Sequence, residues 1–258
     1  MLGSSWCNGT HDESLFEINF SSQISHQTLR CISYLSLIYS KRRTKVSDIL
    51  PWAYPERDPA HPKNVNYVGI QNIIDAARAS PTCKRIVRIT GKGENPWSLF
   101  SILINMLGSF AKAWNYEGEQ LLRKCEGVDY TIIRPGVMKQ EQPDNAGQKN
   151  LALVDNGGDL KVSSVTYSNI ANLCIQVLDY PNTARATLCA MNVPNGQGEE
   201  TYVPLLLQVK PDRRVFPTNM MMRHIQAVYI MGFSLLAVLT SMVITLSNLL
   251  LKLLSKII

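Results

Sequence analysis

The stretch "EGEQLLRKCEGVDYTIIRPG", residues 117–136, decides the fold of this chain. Its first half has the apolar spacing of an amphipathic helix. Its second half is an apolar run from Asp129 that ends in a Pro-Gly pair, and such pairs mark turns. The stretch therefore predicts a helix that leads into a buried strand, with Arg134, Pro135 and Gly136 at the carboxyl end of that strand.

Helices and strands also alternate on both sides of this stretch. Residues 84–90, "KRIVRIT", predict a buried strand, and residues 186–194 predict a last strand. Residues 65–79 and 166–180 have the apolar spacing of helices. This alternation predicts an α/β fold in which a doubly wound parallel sheet is covered by helices on both faces. Ligands of such sheets bind at the carboxyl ends of the strands.

The segment 98–114, "SLFSILINMLGSFAKAW", is apolar nearly all round and predicts one continuous helix. It is short for a second membrane span, and Lys112 lies near its end. A buried helix or a membrane-surface helix fits better. We expect residues 98–111 to contact either the membrane surface or a partner protein.

The end of the chain contains a long stretch without charge, residues 225–251. About 20 apolar residues suffice to cross a bilayer core, and a soluble helix of this length normally shows a polar stripe. The stretch therefore predicts a single transmembrane helix. Arginines precede it and two lysines follow it, which weakly favours the larger N-terminal part on the cytoplasm-like side. His224 lies at the edge of the span, where it would ligate a pigment, meet a headgroup or act as an ordinary interfacial histidine.

Composition excludes several classes of function for this chain of 258 residues with net charge +6 and 45% hydrophobic residues. Its basic residues form short clusters without interleaved aromatics, which disfavours nucleic-acid binding. The six cysteines contain no CxxC pair, so we expect free buried thiols and a reducing compartment. The four histidines lack ligand spacing, so we predict no metal.

The order of the motifs resembles the atypical short-chain dehydrogenase/reductase family, in particular its organellar NAD(P)-binding members. Those members include import-associated proteins, photosystem assembly factors and relatives of complex I intermediate-associated proteins. The resemblance covers residues 55–195 and implies a Rossmann-like fold that usually binds NAD or NADP. It rests on "NVNYVGIQNIIDAA", "KRIVRIT", "EGEQLLRKCEGVDYTIIRPG" and "VTYSNIANLCIQVLD".

With this resemblance, the chain divides into five predicted parts. They are a divergent N-terminal segment (1–50), a degenerate Rossmann-like domain (51–210), a basic linker (211–224), a transmembrane helix (225–251) and a short tail (252–258).

Two departures from the family pattern bear on activity. A glycine-rich turn should follow the first strand, because only glycines let the backbone approach a pyrophosphate. The sequence contains no glycine from Thr10 to Val68. Reductases of the family also carry a Tyr and, four residues on, a Lys, often followed four residues later by a Glu. If Glu119 is that Glu, Asn115 takes the place of the Lys and Ala111 that of the Tyr.

The tyrosine of the family pattern donates a proton, and the lysine lowers its pKa. Alanine supplies no proton, so we predict no catalytic residue, although the departures alone do not exclude a bound NAD(P).

Candidate cofactor contacts lie at the two strand ends: Thr90, Gly91, Arg134, Pro135 and Gly136. The resemblance places the Arg-Pro-Gly turn beside a nicotinamide and Thr90 near the catalytic Ser or Thr position. The alternatives are an Arg134 paired with a carboxylate in a structural turn and a Thr90 hydroxyl satisfied at a strand end.

These observations favour a membrane-anchored, non-catalytic accessory or assembly subunit of an organellar membrane complex. The resemblance points first to the thylakoid, with the soluble domain in the stroma and a photosystem or antenna complex as partner. The mitochondrial inner membrane with respiratory complex I comes second. The alternatives are an NAD(P)H-dependent oxidoreductase tethered to one of these membranes and a pigment-binding light-harvesting component.

Overall fold

The computed structural model describes residues 32–33, 58–140, 149–158, 160 and 163–254. Its strands are β1 (Ile32–Ser33), β2 (Arg85–Ile89), β3 (Asp129–Pro135), β4 (Val137–Lys139), β5 (Lys149–Val154), β6 (Ser164–Thr166) and β7 (Ala186–Pro194). Its helices are α1 (Gly69–Ala79), α2 (Leu99–Leu107), α3 (Ala111–Lys124), α4 (Tyr167–Gln176), α5 (Val203–Gln208) and α6 (Met220–Leu254). A π-helical turn (Asn64–Val68) precedes α1, and a 3₁₀ turn (Pro181–Thr183) precedes β7.

The main sheet confirms the predicted parallel α/β architecture of Rossmann type. Its strand order is β1-β2-β3-β7-β5, and the first four strands are parallel while β5 runs antiparallel to β7. Strands β4 and β6 form a separate parallel pair. The first strand consists of Ile32 and Ser33 and lies at the edge of the sheet. The rest of the N-terminal segment 1–50 lies outside the described residues.

Helices cover both faces of the sheet because its strands alternate their apolar side chains between the faces. Ile86 and Ile132 pack under α1 and α3. Val87 and Ile133 point to the opposite face and pack under α4 and α5. The sheet is therefore buried on both sides, as expected for parallel strands that read as nearly continuous apolar runs.

The predicted continuous helix over 98–114 is wrong, because two helices occupy that segment. Helix α2 is capped by Ser98 and ends at Leu107. Ser109 and Phe110 then adopt left-handed backbone conformations before α3 begins. Non-glycine residues rarely adopt this conformation, and no helix continues through it. The break lets α2 pack against α6 while α3 packs against the sheet.

The predicted boundary between linker and anchor also needs correction. Helix α6 begins at Met220, inside the segment 211–224 that was expected to be a linker. Met220 and His224 have no exposed surface, and Ala227 and Val228 are buried as well. His224 is therefore not an interfacial histidine at a membrane edge. The first two turns of α6 belong to the core of the domain.

Beyond Val228, α6 leaves the domain, and its apolar side chains are exposed. Residues Met220–Asn248 form a helix of 29 residues, and its most apolar stretch of 18 residues has a mean hydropathy of 2.2 with 11% of that stretch buried. A helix buried inside a soluble domain would not leave its apolar residues open in this way. By length and composition, this helix could span a membrane.

The point at which α6 leaves the domain predicts where the chain can be shortened. We expect the full chain to stay in the membrane pellet after an alkaline carbonate wash. A chain that ends at Val228 should be released and should unfold cooperatively. A chain that ends at Ile225 should melt at a lower temperature, because it loses Ala227 and Val228, whose burial contributes roughly 2 kcal/mol. Fractionation and thermal melting check these outcomes. Release of the full chain by carbonate would count against a membrane helix.

Candidate functional site

The candidate site lies at the carboxyl ends of β2 and β3, where Thr90 and Arg134 stand side by side over α3. The backbone N–H of Thr90 donates to the carbonyl of Ile133 at 2.8 Å, which continues the sheet beyond the end of β2. Arg134 is 1% exposed and Glu119 of α3 is 0% exposed. The site is therefore a buried cluster of charges.

The carboxylate of Glu119 is the centre of this cluster. It accepts a hydrogen bond from the Thr90 hydroxyl at 2.5 Å, and another from Arg134 Nε at 3.0 Å. It also accepts from Arg134 Nη2 and, at 2.8 Å, from Arg123 Nη2. This carboxylate joins both strand ends to α3. We call the set of Glu119, Thr90, Arg134 and Arg123 the Glu119 clamp.

The protonation of the clamp follows from its contacts. Burial alone would raise the pKa of the Glu119 carboxyl, but the charges of Arg134 and Arg123 and the hydrogen bonds from Arg134 and Thr90 lower it to about 2. Burial alone would lower the pKa of Arg134, whereas Glu119 and Glu94 hold it above its ordinary value. Both groups are therefore charged at neutral pH. Their ion pair has a structural role and does not supply a proton donor.

A second carboxylate extends the cluster to the C-terminal part of the chain. Glu94, in the loop after β2, accepts from Arg134 Nη1 at 2.6 Å and from Arg214 Nη2 at 2.8 Å. Gly93 in the same loop accepts at its carbonyl from the ring of His224, with a distance of 2.8 Å to Nε2. The loop that would border a ligand cleft is thus bonded to residues near and within α6.

The residues that precede α6 run across the same face of the sheet. Asp212 accepts from the backbone N–H of Thr187 at 2.9 Å and from its hydroxyl at 2.7 Å. The ring of Phe216 lies 3.7 Å from the guanidinium carbon of Arg123 and 4.2 Å from that of Arg214. This C-terminal strap, residues 211–219, covers the Glu119 clamp from the side that α3 leaves open.

The two positions of the missing reductase pair serve the packing of α3. Asn115, at the lysine position, accepts a hydrogen bond from Arg88 Nη2 at 2.9 Å. Burial lowers the pKa of the Arg88 guanidinium to about 10. Ala111, at the tyrosine position, begins α3. Nearby Tyr116 donates its hydroxyl to the carbonyl of Pro217 at 2.8 Å, and burial followed by the charge of Glu94 raises its pKa to about 12. No side chain of this set is poised to give up a proton.

The structure brings Thr90 and Arg134 together in the clamp, whereas the predicted glycines, Gly91 and Gly136, are not among its members. Gly91 has open space where a Cβ would stand. The N–H of Gly136 donates to the carbonyl of Ala190 at 3.0 Å, and a Cβ there would collide with the carbonyl of Ser163. Arg134 adopts the alternative arrangement considered above, pairing with carboxylates. Contact between these residues, including Pro135, and a dinucleotide stays a prediction.

Sequence reasoning missed the charged partners Glu94, Asp212 and Arg214. A weak signal was present, since an arginine at the end of an apolar strand must find a carboxylate when it is buried. The partner could not be chosen from the sequence, because Arg214 and Glu94 are 120 residues apart.

The polar side chains at the two strand ends are hydrogen-bonded within the protein. Thr90 and Arg134 are the residues that the resemblance places near a nicotinamide. They form hydrogen bonds with Glu119 and Glu94. Lys112, near the missing pair, donates to Ser101 Oγ at 2.7 Å. The predicted absence of a phosphate-binding turn concerns residues that mostly lie outside the described ranges.

In the described ranges, no three His, Cys, Asp or Glu side chains come together in a way that could hold a metal ion. The four described cysteines are free and buried, while Cys7 and Cys31 lie outside those ranges.

Comparison with known proteins identifies the family to which this chain belongs. A family model described as NAD(P)H-binding matches residues 47–181, just over half of the chain. A protein of Arabidopsis thaliana described as uncharacterized and chloroplastic is 29% identical over 148 residues, which cover 56% of this chain and 43% of that protein. The chain thus spans less than half the length of this curated relative.

Solved structures show distant likeness. An oxidoreductase of Lactococcus lactis has a TM-score of 0.47 at 16% identity and covers 62% of this chain and 68% of its own. A short-chain dehydrogenase/reductase of Veillonella parvula, solved in complex with NADP, has a TM-score of 0.40 at 11% identity and covers 56% of this chain and 72% of its own. Likenesses at this level carry no argument about activity.

The Glu119 clamp predicts a large and pH-dependent loss of stability in the variant Glu119→Gln. Breaking a buried ion pair leaves unpaired charges, so we expect a loss of roughly 3–5 kcal/mol at neutral pH. The matched control is Asp75→Asn on the exposed side of α1, which should change stability by less than about 0.5 kcal/mol.

The pH dependence follows from the lowered pKa of Glu119. The unfolded carboxyl titrates near pH 4.3 and the folded one near 2. Its stabilising contribution is complete above the unfolded pKa and is lost as the pH falls through the folded pKa. The stability difference between the native chain and Glu119→Gln should therefore shrink between about pH 4 and pH 2. Urea unfolding across this range measures it, and equal stability of Glu119→Gln and Asp75→Asn at pH 7 would refute the clamp.

Proposed function

Because the chain belongs to the NAD(P)H-binding family, we propose that it uses this fold as a membrane-anchored scaffold without reductase chemistry. Its role is that of an accessory or assembly subunit of an organellar membrane complex. The observation that carries the proposal is the internal use of the strand ends. Arg134 is bonded to Glu119 and Glu94, and the C-terminal strap lies over them.

The lack of a proton donor at the position of the family's catalytic tyrosine supports the same proposal. Catalysis by a reductase needs a group that can pass a proton to the substrate. Ala111 offers none, and the hydroxyl of Tyr116 is tied to Pro217 with its pKa raised to about 12. The domain keeps the sheet and the helices of the family while its polar groups hold the domain together.

The C-terminal helix supports anchoring. It leaves the domain after Val228 and continues through 20 further residues of the candidate span, to Asn248. That is enough to cross the core of a bilayer. An assembly factor or accessory subunit must stay with a membrane complex, and one span achieves this. The arginines before the helix weakly favour the stromal or matrix side for the domain.

The choice of organelle rests on the relative and on the resemblance. The Arabidopsis relative is described as chloroplastic. We therefore propose the thylakoid, with the domain in the stroma and a photosystem or antenna complex as the partner. The mitochondrial inner membrane with respiratory complex I is the second choice.

Native electrophoresis of gently solubilised membranes tests this function. We expect the full chain to co-migrate with a photosystem or antenna complex, because anchor and domain together hold it there. The matched control is the chain that ends at Val228, which keeps the packed turns of α6 and lacks the anchor. It should not co-migrate.

Two outcomes would contradict the proposal. In the first, the full chain migrates alone in both thylakoid and mitochondrial membranes. In the second, the purified full chain oxidises NADPH with a quinone as acceptor, which would establish the oxidoreductase alternative.

A further inference from the structure

Helix α2 exposes one apolar face to the surroundings. Its outward residues, together with the tryptophan that precedes it, are 41–64% exposed, although all are large and apolar. Among the described residues no element covers this face. These residues are Trp97, Leu99, Phe100, Leu103 and Leu107. A contiguous apolar surface of this kind marks an interaction site.

The opposite side of α2 fixes the helix to the base of α6. Asn105 Nδ2 lies 2.8 Å from His224 Nδ1. Ile102, nearly one turn earlier in α2, packs in one cluster with Ala227 and Val228, nearly one turn later in α6. Met106 and Phe110 pack against the same cluster. Helix α2 therefore lies beside the last buried turn of α6, directly before the part of α6 that leaves the domain.

This arrangement sets α2 next to the exposed part of α6. The first residues of α6 beyond the domain are large and open, with Tyr229 52%, Ile230 54% and Phe233 68% exposed. If α6 enters a bilayer at this level, α2 lies beside the point of entry.

The border of the α2 face has the side chains of a membrane–water interface. Trp97 and Tyr229 combine an apolar ring with a polar atom, and such residues gather at the headgroup level.

We propose that the exposed face of α2 inserts into the headgroup and acyl boundary of the same bilayer that α6 spans. The inference rests on the proposed function for the membrane anchor itself. A bilayer is the occupant that the structure favours, because α2 packs beside the last buried turn of the anchor helix and carries interfacial aromatics at its border. Interfacial helices sink by about 5–10 Å into this boundary.

A second contact with the bilayer has a consequence for the domain. A single spanning helix can rotate about its axis and tilt in the bilayer, and the domain would move with it. With α2 inserted as well, one edge of the domain is fixed at the surface, and α4, on the other face of the sheet, points away from the membrane.

Quenching by spin-labelled lipids tests the insertion. The full chain is labelled with bimane at Leu99→Cys and, separately, at Leu107→Cys on α2. Two matched controls are Leu239→Cys in the middle of α6 and Ile175→Cys on α4, both at exposed positions. Each variant is reconstituted into phosphatidylcholine vesicles that carry a nitroxide near the headgroup or near the end of the acyl chain. Thermal melting checks that each variant is folded, and labelling of the unaltered chain gives the background.

The proposal expects both α2 labels to lose emission to the shallow nitroxide. It expects Leu239 to respond to the deep nitroxide and Ile175 to neither. If Leu239 is quenched while neither α2 label is, the proposal is overturned and the anchor stands, which would assign the α2 face to a protein partner. If Leu239 itself is unquenched, the proposed anchor fails, and the inference fails with it.

Discussion

The carboxylate of Glu119 is the contact on which the rest of this structure depends. A buried carboxylate is costly unless its charge is paired and its oxygens accept hydrogen bonds. Glu119 meets this condition through Thr90, Arg134 and Arg123, which come from the ends of two strands and from its own helix. One acidic side chain thereby sets the position of α3 over the sheet and holds both Arg134 and Arg123.

The clamp also explains how the C-terminal part joins the domain. Arg134 is hydrogen-bonded to Glu94 as well as to Glu119. Glu94 in turn accepts a hydrogen bond from Arg214 of the C-terminal strap. Phe216 covers the guanidinium of Arg123. The strap then leads into α6, whose first turns are part of the core. The apolar end of α6 is therefore held rigidly on the domain, which fits a protein whose task depends on its position at a membrane.

Much of the fold could be predicted from the sequence because its strands and helices have strong local patterns. The runs 84–90 and 186–194 became β2 and β7, and residues 166–180 contain α4. The break at Ser109 and Phe110 could not be predicted, because their left-handed backbone is stabilised by tertiary packing that no local pattern records. His224 was misplaced for a related reason, since a histidine before an apolar run looks the same whether it meets lipid or Asn105.

Even less of the candidate site than of the fold could be predicted from the sequence. The departures at Ala111 and Asn115 could be predicted by comparing the spacing in this sequence with the pattern of the family it resembles. The partners of Arg134 could not, because charged pairs across long separations follow from how the chain folds back and not from the motif.

The central claim is that the strand ends are closed by the protein's own side chains. Titration of the purified full chain with NADPH, followed by the fluorescence of the nicotinamide, tests it most directly. The account predicts no saturable change, since Thr90 and Arg134 are committed to Glu119 and Glu94. Saturation at micromolar NADPH would contradict it.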